Sequence, residues 1–224
     1  MPKVTMSEQM LQPEGAPRQP SLVDDLLSRG RIYLMLGLFA VEVLIFVAGL
    51  FTPLGSETQQ SIANQTNSQF DFVKTATAVQ VVFFIFGHNL LIALIELVPI
   101  LGAFFYLFSI YSTGVATQAI VGAQGLPTFT GLVLFFLPYT FVELSAYAIA
   151  VGSGTMLIAS AAKHRFLREL KVFGVEIVLV AVVLLLAATM ETITTYYVVV
   201  GLALWAPAGL LLAAAIVLAG RRKR

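Results

Sequence analysis

Residues 32–51 read IYLMLGLFAVEVLIFVAGLF, an apolar run of 20 residues in which Glu42 is the one residue of the Asp, Glu, Lys or Arg types. A helix needs roughly 20 apolar residues to cross the hydrocarbon core of a bilayer. This run therefore predicts a transmembrane helix. Runs of similar character recur along the chain and predict five further spans, at residues 74–97, 100–121, 129–162, 172–190 and 198–219.

The composition of the whole chain agrees with a membrane protein. Of its 224 residues, 58% are hydrophobic and 11% are charged, and its mean hydropathy is +0.91. Soluble domains carry about 25% charged residues, so this chain lacks the polar surface that a water-soluble globule needs. The sequence predicts an all-α, polytopic transmembrane helical bundle of about six spans within residues 32–219. The lipid bilayer is therefore a predicted partner of the chain.

Two parts of the chain depart from a simple series of spans. The fourth apolar run has 34 residues, which exceeds one bilayer crossing. It is therefore predicted to tilt, to break near Pro138 or Gly152, or to project into the cytoplasm. Residues 55–70 are rich in Ser, Thr, Asn and Gln, and they are predicted to form the longest hydrophilic loop.

The segments that flank the spans are polar. Residues 1–20 contain four prolines and are predicted to form a disordered cytoplasmic tail. Residues 21–31 predict a short interfacial helix that Ser21 caps and Gly30 ends. An ordinary helical lead-in to the first span is an equally good interpretation. Residues 220–224 predict a basic cytoplasmic tail.

The distribution of basic residues predicts the orientation. With the amino terminus inside, the inner face holds twelve of the 13 Lys and Arg residues, and Lys74 alone lies outside. Cytoplasmic loops are enriched in Lys and Arg, so both termini are predicted to be cytoplasmic. The last basic cluster is predicted to anchor the sixth span at the inner leaflet rather than to bind nucleic acid. It consists of Arg221, Arg222, Lys223 and Arg224.

Several polar side chains fall inside the predicted spans, where they are costly and usually face a bundle interior or an aqueous path. Glu96 and Glu176 lie near the predicted inner surface, where water or basic side chains are expected to solvate them. No basic residue lies deep enough in a span to pair with the others. These candidates serve either as structural hydrogen-bonding groups or as a transport site. They are Glu42, His88, Asn89, Glu143 and Glu191.

Glu143 has the most informative surroundings. Pro138 precedes it by five residues and is predicted to disturb the helix and free a backbone carbonyl. Tyr147 follows one turn later on the same face. The helix also carries small residues at every fourth position, which let a neighbouring helix approach closely. They are Ala146, Ala150 and Gly154. This span is therefore predicted to lie at the centre of the bundle.

The sequence predicts no metal, cofactor or catalytic site. It contains no cysteine, and its two histidines are His88, inside a span, and His164, among basic residues at a membrane edge. Two histidines so placed make a poor metal site. The zinc-protease pattern H-E-x-x-H and the nucleophile pattern G-x-S-x-G are both absent. The chain is accordingly predicted not to be an enzyme.

Three stretches resemble a known family. Residues 137–144 read LPYTFVEL, which is similar to the Pro-His-Gly-x-x-Glu-Leu segment of the stage II sporulation protein M family. Asn89 lies in a span that resembles the family's asparagine-bearing helix. The segment around Glu191 resembles the family's Ala-Ala-x-x-Glu segment before the last span. Tyr139 and Thr140 stand where the family has His and Gly, so this segment lacks the imidazole of the family's pattern.

The resemblance covers roughly residues 75–219. It implies a six-helix, multi-pass protein of a prokaryotic cell membrane. In spore-forming bacteria a member of this family works with cell-wall-degrading partners, so the resemblance implies a scaffold that binds membrane or envelope proteins. The alternative, which rests on the intramembrane acids, is a proton- or cation-coupled transporter or channel. Small residues on the helix faces also permit a homo-oligomer.

The predicted orientation is testable with single cysteines, because the chain has none of its own. A membrane-impermeant maleimide is expected to label Ser61→Cys, in the polar segment, on intact cells. Ala162→Cys, beside the inner basic stretch, should react only after the cells are permeabilised. The reverse pattern would overturn the orientation.

Overall fold

The computed structural model describes residues 21–69 and 71–205. These residues form helices and turns, with no β-strand among them, which confirms the all-α class. Five helices are long and apolar enough to cross a membrane, as a multi-pass membrane protein requires. The tail at residues 1–20, most of the predicted sixth span and the basic residues 220–224 lie outside the described residues. Six spans and cytoplasmic termini therefore stay predictions.

The helices follow one another with short connections. In chain order they are α1 (Leu22–Leu26), α2 (Arg29–Leu50), α3 (Ser56–Gln69), α4 (Ala78–Glu96), α5 (Leu101–Ala123), α6 (Phe129–Phe135), α7 (Pro138–Ala161), α8 (Phe166–Tyr196) and α9 (Val198–Ala203). A single 3-10 turn, Asp71–Lys74, precedes α4. The helices with the length and hydropathy of spans are α2 (taken together with α1), α4, α5, α7 and α8.

The short helix α1 begins where its sequence predicts. The Asp24 N–H donates to the Ser21 hydroxyl at 3.2 Å, and the Ser21 N–H donates to the Asp24 carboxylate at 3.0 Å. This reciprocal pair satisfies two N–H groups at the helix start. The predicted stop at Gly30 is wrong, because α1 ends at Leu26 and Gly30 lies in the first turn of α2.

The polar segment after α2 is a helix, so the prediction of a hydrophilic loop is wrong. This helix, α3, packs along α5. Ala63 is buried in the contact, and the Gln59 side chain lies against Gly122. The segment is poor in apolar residues, and Ser and Asn favour turns on their own. Contact with α5 therefore gives this segment a buried face that its composition did not predict.

The fourth apolar run is broken near Pro138, which was one of the three predicted outcomes. α6 ends at Phe135 and α7 begins at Pro138. Leu137, between them, is extended, with φ −75° and ψ 144°. The residue before a proline favours this conformation, and a proline lacks the N–H that a helix interior uses. The proline therefore starts a new helix rather than kinking a continuous one.

α7 lies at the centre of the bundle, as its small residues predict. It packs against α2, α4, α5 and α8. Ala146 and Ala150 are fully buried. A Cβ added at Gly154 would lie 2.7 Å from the carbonyl oxygen of Leu97, at the end of α4. Small residues on α7 therefore let the surrounding helices approach its backbone.

α2 and α5 cross at a pair of glycines. A Cβ on Gly49 would overlap the backbone of Tyr111 and lie 3.1 Å from the Cα of Gly114. A Cβ on Gly114 would overlap the backbone carbonyl of Phe46. The two backbones are therefore in direct contact, as in other membrane helix pairs that meet through glycine.

Gly49→Ala is expected to lower the free energy of unfolding by about 1–3 kcal/mol, because the new methyl group has no space between the two backbones. Gly37→Ala is the matched control, since it lies on the same helix with nothing within 4 Å of an added Cβ. Unfolding in detergent micelles, followed by circular dichroism, compares the variants. Equal stability would contradict the close contact of α2 with α5.

Candidate functional site

Four carboxyl groups from four helices gather in the bundle, and we refer to them as the acidic core. Glu42 of α2 lies close enough to Glu96 of α4 and Glu143 of α7 for their charges to interact. Glu191 of α8 lies within the same range of Glu143. All four belong to helices that have the length and hydropathy of membrane spans. The packing of α7 therefore brings together acids that are far apart in the chain.

Glu42 is fully buried and only half satisfied. The Tyr106 hydroxyl lies 3.4 Å from Glu42 Oε2, and it also donates to the Leu38 carbonyl oxygen at 2.8 Å. Glu42 Oε1 has no hydrogen-bond partner among the described residues. A buried polar atom without a partner costs about 1–3 kcal/mol. An unpartnered buried oxygen of this kind is expected in a site that binds a transient ligand.

Glu96, the last residue of α4, is also buried with one oxygen unpartnered. The Ser109 hydroxyl donates to Glu96 Oε1 at 3.2 Å, and Oε2 has no partner among the described residues. Its side chain is 1% exposed. The prediction that water or basic side chains solvate Glu96 at the inner surface is therefore wrong.

The turn between α4 and α5 accounts for the burial of Glu96. Ile100 has φ 69°, in the left-handed region that a β-branched residue rarely adopts. Gly102 lies so close to the Glu96 carbonyl that any side chain would overlap it. This tight turn holds the first residues of α5 against the end of α4. Gly154 of α7 approaches from another side.

Glu143 and Glu191 form the second half of the acidic core. The Tyr147 hydroxyl donates to Glu143 Oε1 at 2.9 Å, across the single helical turn that the sequence predicts. Both glutamates are half-buried. Tyr139 lies close enough to Glu191 and Glu143 for electrostatic interaction. Tyr139 therefore lies beside the acids.

Glu176 lies apart from the acidic core and has a basic partner. Arg31 Nη1 donates to both oxygens of Glu176, at 2.6 and 2.7 Å, and Nη2 donates to Glu169. Arg31 is 2% exposed and Glu176 is 1% exposed. A basic side chain thus reaches Glu176, as predicted, but the pair is buried within the protein and not solvated at a membrane surface. Arg31 lies in the first turn of α2, and its side chain is buried against α8 instead of reaching water.

The acidic groups are distributed along the bundle. Glu42 lies eleven residues after Arg31, or about 16 Å along α2 at 1.5 Å per residue. Glu191 lies 15 residues after Glu176, or about 22 Å along α8. Since Arg31 and Glu176 are paired, they mark one level of the bundle. Glu42 therefore lies about midway along the bundle, and Glu191 lies toward the end opposite this ion pair.

His88 and Asn89 are separated by the fold. Asn89 faces the bundle and is 6% exposed. His88 lies on the exposed side of α4. The structure therefore does not bring His88 into the acidic core. The remaining predicted group, the basic cluster at residues 221–224, lies outside the described residues.

Two of the three hydroxyl groups beside the acids, those of Tyr106 and Ser109, belong to residues that the sequence did not single out. Tyr106 and Ser109 lie three residues apart on α5, with Thr113 four residues further, so they share one face of the helix. This polar stripe on an apolar helix was a usable signal. Arg31 had no such signal, because its position near a predicted membrane edge is typical of a solvated residue.

The arrangement suits protons better than a caged metal ion. Within residues 21–69 and 71–205, no three His, Asp or Glu side chains form a group that could hold a metal ion. Each acid of the core pairs instead with at most one hydroxyl group in the described structure. A hydroxyl both donates and accepts a hydrogen bond. The described core therefore consists of titratable groups with at most one hydroxyl neighbour each, and not of a cluster of metal ligands.

Comparison of this chain with protein-family models, with curated proteins and with solved structures finds no match. The resemblance to the stage II sporulation protein M family therefore rests on the residues quoted above. The structure places Glu143 in the second turn of α7, Asn89 within α4 and Glu191 near the end of α8.

Removing Arg31 is expected to destabilise the protein strongly. Arg31→Met leaves Glu176 buried without its cation, which costs about 3–5 kcal/mol. The double variant Arg31→Met/Glu176→Leu removes both charges and should recover most of this loss. Lys74→Met is the control, because its pair with Asp71 is exposed and worth about 0–1 kcal/mol. Chemical unfolding in micelles measures all three. A double variant no more stable than Arg31→Met would contradict a role for the pair itself.

Proposed function

We propose that this chain is an integral membrane protein that carries protons through its acidic core, alone or coupled to the movement of a solute. The observation that supports this function is the pair of unpartnered oxygens, Glu42 Oε1 and Glu96 Oε2, in fully buried side chains. Intramembrane carboxyl groups facing a bundle interior commonly mark proton relays. The proposed role involves transport without covalent chemistry.

Each unpartnered oxygen has a direct use in proton transfer. An ionised carboxylate only accepts hydrogen bonds, whereas a protonated carboxyl group donates one. A carboxyl group without a fixed partner can alternate between these states without breaking a structural bond. A glutamate held by an arginine cannot do this as readily, and Glu176 is held by Arg31. The unpartnered acids are therefore the better carriers.

Hydroxyl groups lie beside three of the four proposed carriers. Ser109 donates to Glu96, Tyr106 lies at Glu42, and Tyr147 donates to Glu143. Because a hydroxyl can accept a proton on one side while it gives one on the other, these three groups extend the reach of the acids. The proposed order of proton transfer is Glu96, Glu42, Glu143 and Glu191, or the reverse.

Protons, rather than metal cations, are the proposed cargo. Calcium takes six to eight oxygen ligands, and magnesium needs a nearly ideal octahedron. The described part of the acidic core has no group of three acidic or histidine side chains that could hold a metal ion. A proton needs one oxygen at a time. The acids of the core, which lie at different positions along the bundle, can each supply that one oxygen.

A second candidate function is the scaffold or partner-binding role that the family resemblance implies. The observation that favours it is His88, a polar side chain on the exposed side of a membrane helix. Membership of the stage II sporulation protein M family, a prokaryotic cell membrane as the location, and envelope proteins as partners all belong to this candidate. A partner surface and a proton path can exist in one protein, since they use different sides of α4.

Glu42→Gln and Glu96→Gln are each expected to lower proton flux in proteoliposomes by about tenfold or more, because an amide occupies the same space but exchanges no proton. A pH-sensitive dye inside the vesicles, with a valinomycin-clamped potential, measures the flux. Glu57→Gln is the matched control, since Glu57 lies exposed on α3. Normal flux in both core variants would contradict the proposal.

The wild-type protein decides between the two candidates. If it carries no proton under any gradient, with and without candidate solutes, the acidic core is structural and the scaffold role is favoured. If it moves sodium, potassium or calcium ions instead of protons, the assignment of the cargo is wrong. Folding of each variant is checked by its thermal unfolding in detergent.

A further inference from the structure

The exposed side of α4 carries a polar group where a lipid-facing helix should be apolar. His88 is the eleventh of the 19 residues of α4, so it lies at the middle of the span. Its side chain is exposed in the described structure. Ionisable side chains inside spans almost always face protein or water. Something other than the described residues is therefore expected to cover His88.

The surroundings of His88 have the character of a helix contact. Gly87 lies beside it, with nothing within 4 Å of an added Cβ. Large exposed hydrophobic side chains lie on both sides of it along the helix, and they are Phe83, Phe84, Leu91 and Leu94. Small residues let membrane helices approach closely, and polar side chains hydrogen-bond across such contacts. Gly87 and His88 supply both.

We propose that this side of α4, from Phe83 to Leu94, is the contact surface with a second copy of this chain. The two copies are related by a two-fold axis that passes near His88. A neutral imidazole has one donor nitrogen and one acceptor nitrogen. Two such groups facing each other can hydrogen-bond, so His88 is complementary to itself. A two-fold interface brings the same patch of both subunits together.

The described part of the chain ends at a different side of the bundle from this surface. The last described residue, Trp205, packs its ring against Phe141 of α7, with centroids 5.2 Å apart. Phe141 also contacts Phe39 of α2. The described chain therefore ends where α7 meets α2. His88 lies on α4, which packs against α5, α7 and α8 with its other faces.

The surface also differs from the other exposed faces of the bundle. Leu44 on α2 and Val182 on α8 are about as exposed as Leu91 on α4, at 70%, 60% and 60%. Those two positions have apolar neighbours that hydrocarbon chains can cover. Among the three exposed positions, Leu91 alone lies one turn from a polar side chain that lipid cannot satisfy. They therefore provide matched controls for a contact that depends on His88.

Cysteine cross-linking tests the proposal in the full-length protein, because the chain contains no cysteine. Leu91→Cys, reconstituted in phosphatidylcholine vesicles and treated with copper phenanthroline, is expected to form a disulfide-linked dimer. Leu44→Cys and Val182→Cys should stay monomeric under the same conditions. Dilution with excess lipid separates a stable dimer from random collisions. Monomeric Leu91→Cys, or equal cross-linking at all three positions, would overturn the proposal.

Changing His88 tests the chemistry of the contact. In the Leu91→Cys background, His88→Leu is expected to lower the dimer fraction by about tenfold, the effect of losing one interhelical hydrogen bond in a membrane. His88→Gln, which keeps a donor and an acceptor, should retain most of the dimer. Unchanged dimerisation in His88→Leu would overturn the role of the imidazole.

Cross-linking gives a different result for each other molecule or segment that would cover this surface of α4. If residues 206–219 cover the surface, a second cysteine in that segment will cross-link to Leu91→Cys within one chain. If a different membrane protein covers it, Leu91→Cys will cross-link to that protein in cells and stay monomeric after purification. Either result contradicts a contact between two copies.

Discussion

A bilayer supplies no water to a buried polar group, so each polar side chain inside a span needs a partner within the protein. Most of the serine and threonine hydroxyl groups that the structure describes meet the requirement within their own helix. Ser153, for example, donates to the Ile149 carbonyl at 2.6 Å, and Thr192 donates to the Ala188 carbonyl at 2.8 Å. Arg31 and Glu176 meet it as a pair across two helices. Four buried side-chain atoms of the described residues keep no partner: one oxygen each of Glu42 and Glu96 in the acidic core, and Arg31 Nε and Gln118 Oε1 outside it.

The position of the acidic core follows from the small residues of α7. Hydrophobic side chains do not drive helices together inside lipid, so close packing and hydrogen bonds must hold the bundle. Ala150 and Gly154 allow α4 and its neighbours to reach the α7 backbone. Acids on those neighbours then meet near Glu143. A central helix with bulky residues would keep the same acids apart. The close packing of the helices on α7 and the grouping of the acids therefore have the same cause.

Sequence reasoning predicted the parts of this fold that depend on local composition. Apolar runs predicted the five spans that the structure describes, a break near Pro138 was one of the alternatives for the longest run, and 3–4 spacing placed Tyr147 on the face of Glu143. It failed where a distant contact decides the outcome. α3 is a helix because α5 lies beside it. Glu96 is buried because the turn at Ile100 holds α5 against it. Arg31 is shielded from water because α8 supplies Glu176 as its partner. His88 and Asn89 are neighbours in sequence, and only the position of α4 shows that they face opposite sides.

α4 links the two roles that its polar residues favour. Its inner side carries Asn89 and Glu96, and its outer side carries His88. A helix is stiff over its 19 residues, so a rotation or shift imposed at His88 by a second copy would also move Glu96. The turn after Glu96 is already tight at Ile100, where φ is 69°. Such strained positions are tolerated only where the surroundings hold them. A contact between two copies at His88 is therefore linked, through the rigid helix α4, to Glu96, the first acid of the proposed proton path.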